Sequence, residues 1–389
     1  MRLHGSIGMN EGHRLLHQES IETAPPRVSW GGKLRSQPFW RELHREVMSD
    51  RWLYVTILLY FIAAQLLAVA TGNPHRLRPL MYLTGWLTTV LSCLALYLLG
   101  YRIPKALLAD PRRPLRAILN TVSSLMAPRL LAGGLLLVSL GVFFGTFTSV
   151  KNLLPEIVPF WSDPLLADID EALHGGTAPW LLLHPLIGDP ETTRAIELTY
   201  MLPWSVMMAG TQVLLAIHPK LSQLRGQYYS TYLGAWILLG SGLACIGMSA
   251  GPVYYGDVTG DNHRFSALVE YLSFSDGLIS SAAGIRNYLW NAYQSKDTWL
   301  SSGISAFPSM HVATTTLLAL AGWVLNRWLG FALAAFWLVI LVSSVHLGWH
   351  YAIDGYVSTL CTIAIWMVAG RFYRGSEPQA KGRDLWSHA

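Results

Sequence analysis

Eight apolar runs of 16 to 23 residues decide what this chain can fold into: Tyr54–Ala70, Leu80–Leu99, Leu130–Phe147, Ala195–Ile217, Ser230–Met248, Met310–Leu325, Leu329–Val345 and Asp354–Ala369. Runs of this length match the roughly 30 Å of hydrocarbon in a bilayer. Backbone in hydrocarbon must satisfy its own hydrogen bonds, and the period-two alternation of a membrane β-barrel is absent, so the runs predict helices. Only 13% of the 389 residues are charged and mean hydropathy is +0.34, whereas a soluble domain carries about a quarter charged residues. A soluble enzyme is thereby excluded. Sixteen Trp and seventeen Tyr suit long lipid–water boundaries. The expected fold class is an all-α integral membrane protein with about eight transmembrane helices.

The distribution of Lys and Arg predicts orientation. With eight spans, 21 of the 28 basic residues fall on the side holding both termini and 7 on the other. By the positive-inside rule both termini are cytoplasmic. The connections 148–194, 251–309 and 346–353 then lie outside. The net charge of +5 is read as topological, and no nucleic-acid partner is expected. Cys93, Cys245 and Cys361 sit within apolar runs without CxxC spacing, so neither disulfides nor a zinc site is predicted. No signal-peptide pattern precedes Tyr54, and the loops are compact, which favours a bacterial inner membrane. Residues 1–52 read as a polar cytoplasmic tail, its first half poorly ordered. Phe39, Trp40, Leu43 and Val47 recur in it at the spacing of an amphipathic surface helix. Residues 53–129 read as two additional spans with a basic cytoplasmic loop, 130–370 as a six-helix core and 371–389 as a cytoplasmic tail.

Two segments carry residues suited to chemistry. In Gly303-Ile304-Ser305-Ala306-Phe307-Pro308-Ser309-Met310-His311, a small-residue loop runs into an apolar helix with Ser309 as its N-cap. Free N–H groups at a helix start bind anions, and His311 would lie beside such an anion. The second segment is Ser343-Ser344-Val345-His346-Leu347-Gly348-Trp349-His350-Tyr351-Ala352-Ile353-Asp354. On a helix, His350 and Asp354 would share a face, with His346 on the same stripe. A carboxylate on one imidazole nitrogen makes the other a better nucleophile or base. The plain alternatives are a capped helix with an interfacial histidine and a His–Asp pair that only anchors a helix end. Together, an acid, a His nucleophile and an anion cradle at one membrane face make a set for in-line phosphoryl transfer. No P-loop, EF-hand or dense carboxylate cluster occurs, so no metal and no cofactor are expected.

The Phe-Pro-Ser-Met-His and His-x-x-x-Asp runs, about forty residues apart, resemble the second and third signature motifs of the type 2 phosphatidic acid phosphatase (PAP2) superfamily. The branch containing inositol phosphorylceramide synthases is the most similar. Supporting strings are Ala250-Gly251-Pro252-Val253-Tyr254-Tyr255, Gly303-Ile304-Ser305, and Asp168-Ile169-Asp170 with His174-Gly175 ahead of Pro179-Trp180. The resemblance covers roughly residues 130–370 and implies a six-helix PAP2-like core. It implies that His350 forms a phosphohistidine, Asp354 orients it and His311 protonates the leaving oxygen. Ser309 and the Met310–His311 backbone would bind phosphate oxygens. Two departures stand out. The family's Arg six residues before the nucleophile is Ser344 here, and the first motif has no clear match. Gly251-Pro252 with Tyr254 and Tyr255 occupies its place. Arg286 and Arg264, with Lys296 third, are the candidate phosphate cations, and Tyr255 joins the phosphate-binding set. Glu197 beside Arg194 reads as a structural ion pair, and Trp349 and Tyr351 as interfacial anchors.

The expected function is a membrane-embedded lipid phosphatase acting on a phosphorylated lipid or polyprenyl substrate at the periplasmic face. A phosphotransferase of the inositol phosphorylceramide synthase type is the alternative. A transporter in which His311, His346, His350 and Asp354 form an ion pathway is the rival from another class. Clustering of the histidines at one face, and the lack of inverted hydropathy repeats, weigh against it.

Overall fold

A computed structural model describes residues 37–123, 128–275, 277, 278 and 280–374. The expected disorder of the first residues, and most of the C-terminal tail, lie outside the described residues. The chain divides into two units, 1–41 and 42–389. Of the first, Gln37–Arg41 is described, as the opening of helix α1 (Gln37–Ser49). Among the described residues every regular element is a helix.

Seven helices are long and apolar enough to cross a bilayer. They are α2 (Arg51–Ala70), α3 (Leu83–Ala109), α5 (Pro128–Leu153), α8 (Pro190–Ile217), α9 (Pro219–Ile246), α13 (Arg327–His346) and α14 (Ala352–Arg374). An eighth apolar helix, α12 (Met310–Leu325), is shorter. Smaller helices fill the connections: α4 (Pro114–Ser123), α6 (Asp163–Leu173), α7 (Pro179–Ile187), α10 (Ser266–Leu272) and α11 (Ala282–Gln294).

Polar contacts sort the connections into two ends. At one end Arg76 pairs with Glu156 (2.9 Å), Arg78 with Asp297 (2.8 Å), and Tyr82 donates to Ser301 (2.9 Å). His350 and Asp163 join the remaining connections there. At the other end Arg225 is paired with Asp50 in a buried ion pair, Arg129 reaches Glu46 (3.9 Å), and Tyr373 meets Ser230 (2.8 Å). For this alternation to hold, the shorter α12 has to run from one end to the other as the seven long helices do. Asn326 alone joins α12 to α13, and its side chain caps α13 through the Trp328 and Leu329 N–H groups.

The spans begin or end beyond the apolar runs because polar residues continue the helices. α5 extends past Phe147 through Thr148, Ser149, Lys151 and Asn152. Ser149 donates to the Gly145 carbonyl (2.8 Å) and Asn152 to that of Thr148 (2.8 Å), so these side chains are satisfied within the helix. α12 is the centre of the bundle: Val312 through Ala319 are all buried. A helix apolar on every face has to be enclosed by other helices. Leu53, Ile57, Tyr60 and Val90 of α2 and α3 share one hydrophobic cluster with α5, α8, α9 and α12.

Candidate functional site

The segment carrying His350 begins where α13 stops. Gly348 adopts φ +67°, and Gly348 N donates to Val345 O (3.0 Å) and Trp349 N to Ser344 O (3.0 Å). This is a Schellman ending, which needs a residue without a Cβ at its left-handed position. The expectation that His350, Asp354 and His346 share a helical stripe is corrected by it. His346 is the last residue of α13, Gly348 reverses the chain, and α14 starts only at Ala352. His350 therefore sits in a loop. His346 is fully buried elsewhere, with Nε2 2.8 Å from Thr193 Oγ1 and its ring 4.8 Å from that of His184.

His350 is nearly buried, and its Nδ1 lies 2.7 Å from the carbonyl oxygen of Ala306 and 3.4 Å from Asp354 Oδ2. The Ala306 carbonyl holds the ring, and the Asp354 carboxylate sits behind at longer range. Asp354 is fully buried, and its Oδ2 accepts the Tyr351 N–H (3.0 Å), closing the first turn of α14. The Ala352 and Ile353 N–H groups donate to Asp170 of α6, each at 2.9 Å. Burial pushes the Asp170 carboxyl above the usual carboxylate range, against the pull of those two N–H groups. His174 is fixed by the Asp170 carbonyl (2.6 Å) and the Tyr356 hydroxyl (3.0 Å).

The facing element is the start of α12. Ser309 is its N-cap, accepting from Val312 N at 3.5 Å, while its own N–H reaches the Asp354 carbonyl at 3.4 Å. Met310 and His311 supply the first-turn N–H groups. The His311 ring is stacked between Tyr200 (centroids 4.3 Å apart) and Trp204 (4.1 Å) of α8. Its Nε2 has no hydrogen-bond partner among the described residues. His311 lies within electrostatic reach of both His350 and Lys151.

Lys151 was not among the candidates from sequence. It sits in the last turn of α5, half-buried and with no ion pair among the described residues. The loop ahead of α12 lies over its stem: a Cβ at Gly303, where φ is +97°, would be 3.0 Å from Lys151 Cγ. Ser302 anchors this loop by donating to Asn152 Oδ1 (3.1 Å). The signal available in the sequence was a lysine one helical turn beyond an apolar run on the outward side.

The arginines proposed from sequence already have acidic partners. Arg264 meets Asp168 Oδ1 at 2.7 Å and Glu171 at 3.0 Å, and lies over the Tyr255 ring. Tyr255 is itself buried against Phe265 (5.0 Å). Arg286 is paired with Asp257 and donates from Nε to the Val253 carbonyl (2.8 Å). Lys296 is exposed, with φ +52°. Ser344, at the family's Arg position, is fully buried, and its hydroxyl donates to Leu341 O (2.7 Å). Glu197 is ion-paired with Arg194 (2.7 Å) and accepts the Ala282 N–H (2.7 Å), a joint between α8 and α11. Tyr351 is buried and Trp349 half-buried, both packed in the cluster around the site.

The ensemble is an imidazole with one nitrogen held, a second imidazole and an ammonium without partners among the described residues, and helix-start N–H groups, all at one end of the bundle. Such a set suits transfer of a phosphoryl group. No curated protein and no solved structure matches the chain. The family model described as the PAP2 superfamily matches residues 164–368, which is more than half of the chain and includes both histidine segments. The chain belongs to the PAP2 superfamily, an all-α integral membrane member of it.

Proposed function

We propose that the protein is a phosphatase for a phosphorylated lipid or polyprenyl compound, acting through phosphohistidine on His350. The observation that carries this is the Ala306 carbonyl 2.7 Å from His350 Nδ1. A proton held on Nδ1 leaves a lone pair on Nε2. That nitrogen attacks phosphorus in line while the bond to the leaving oxygen breaks. His311 gives its proton to that oxygen, and the arriving phosphate's negative charge favours the protonated imidazole needed for this. In the second half, His311 takes a proton from water as the water oxygen displaces His350 from phosphorus, releasing inorganic phosphate. The N–H groups of Met310 and His311 and the Lys151 ammonium face the charge on the non-bridging oxygens. Asp354 stabilises the charged imidazole from behind. Arg264 and Arg286, held by carboxylates, act through the loop they brace rather than on phosphate.

The basic-residue asymmetry supports cytoplasmic termini and an active site on the periplasmic side, with residues 130–370 as the catalytic core. An alcohol acceptor would use the same residues and yield a phosphotransferase of the inositol phosphorylceramide synthase kind. The two are separated by following label from radiolabelled phosphatidate or polyprenyl phosphate, and from phosphatidylinositol offered together with ceramide. Release of inorganic phosphate without label in a second lipid is the expected result. Label moving into the added lipid would replace the phosphatase reading with the transferase.

A further inference from the structure

Asp163 opens α6, outside the set just assigned, and is fully buried. Its two oxygens collect four donors from two distant segments. Oδ1 accepts from the Ser249 hydroxyl (2.8 Å), the Gly251 N–H (2.8 Å) and the Tyr351 hydroxyl (3.1 Å), and Oδ2 accepts from the Ala250 N–H (2.9 Å). Among the described residues no Lys, Arg or His forms an ion pair with it. A buried carboxylate without a counter-charge is expensive unless its hydrogen bonds are complete, and here they are.

Three of those donors, on Ser249, Gly251 and Tyr351, belong to residues that meet Ala306 or flank His350. Ser249 also accepts the Ala306 N–H at its carbonyl (2.8 Å), and Ala306 is the residue whose own carbonyl holds His350 Nδ1. Gly251, at φ +93°, passes so close to this segment that a Cβ there would lie 2.7 Å from Trp349 O and 3.0 Å from Ala306 Cβ. Tyr351 follows His350 directly in the chain. Tyr351, next after His350, bonds this carboxylate directly, while Ala306 is bonded to, and Trp349 packs against, the Ser249–Gly251 segment that the same carboxylate holds.

We propose that Asp163 is a positioning residue for phosphoryl transfer. By gripping Ser249–Gly251 and Tyr351, it sets where His350 Nε2 stands relative to phosphate at the start of α12. This rests on the reading of His350 as the nucleophile. A displacement on the order of 1 Å at a nucleophile costs up to about a hundredfold in rate.

The test is Asp163→Asn, which keeps the shape but offers one acceptor oxygen to four donors and turns an amide N–H₂ toward others. The expected kcat per folded molecule falls about 10- to 100-fold with KM within about threefold of wild type. Tyr351→Phe, which removes one donor, lowers kcat less, and adding it to Asp163→Asn causes little further loss, as for one coupled network. The decisive readout is the rapid-quench rate of phosphohistidine formation, normalised to folded protein by size exclusion and thermal melting. A residue that only supported the fold would lower the melting temperature and leave that rate unchanged, and this result would overturn the proposal. If Asp163→Asn does not fold, Tyr351→Phe and Ser249→Ala decide: unchanged kcat in both overturns the proposal, reduced kcat at constant KM upholds it. Wild-type turnover with no phosphohistidine at all would instead sink the nucleophile reading and this inference with it.

Discussion

In the proposed site, Lys151 would supply from a new position the positive charge that Ser344 lacks. Its stem is covered by the loop at Gly303, and its ammonium has no carboxylate among the described residues, so it is free to meet an anion. A hydrogen bond to a charged group is worth about 1.5–3 kcal/mol. Lys151→Met, which keeps the stem, is therefore expected to lower kcat/KM by about ten- to a few hundredfold with an unchanged melting temperature. Steady-state kinetics beside a thermal melt check it, and wild-type kcat/KM would remove Lys151 from the site. The sequence hid this residue because Thr148, Ser149 and Asn152 break the apolar run. Their side chains are satisfied by the helix itself or by neighbouring loops, which hydropathy does not register. For Arg264 and Arg286 the sequence hid their acidic partners instead. Their scarcity on the outward side was visible, but their partners Asp168, Glu171 and Asp257 are near only in space.

At the level of elements, a glycine decides how the site is built. Had α13 continued, His350 and Asp354 would stack at helical spacing and His346 would join them. Gly348 ends the helix instead, and a Cβ there would lie 2.7 Å from Val253 Cγ1 and 2.8 Å from Leu268 Cδ2. Gly348→Ala combines left-handed backbone strain of about 1–2 kcal/mol with that crowding. It is expected to lower the melting temperature by several degrees and turnover more than tenfold, because His350 lies two residues further on. A variant with wild-type melting and turnover would contradict this account of the turn. Ser309 as the cap of α12 was readable from sequence, since a cap and the apolar run it starts are neighbours in the chain. The role of α6 was not. Asp163 and Asp170 lie seven apart on its buried face and bond to residues 87 and 182 positions away, respectively.

Across the whole molecule, apolar runs and basic-residue bias were enough to foresee an all-α bundle with about eight crossings, because bilayer thickness and backbone hydrogen bonding leave few choices. The polar contacts at the two ends agree with that alternation, including the short α12. Candidate site residues stood out in the sequence only where a motif was contiguous. What required the fold was the stacking of Tyr200 and Trp204 of α8 on His311, and the approach of the Ala306 carbonyl to His350. The measurement that tests the central claim most directly is trapping of the covalent intermediate. Purified protein is mixed with a substrate labelled on its phosphoryl group, quenched in alkali, which spares phosphohistidine, and digested for peptide mapping. The account predicts label on the peptide containing His350, none in His350→Ala, and a trapped rate at least as fast as turnover. Label on another residue, or full turnover by His350→Ala, would contradict it.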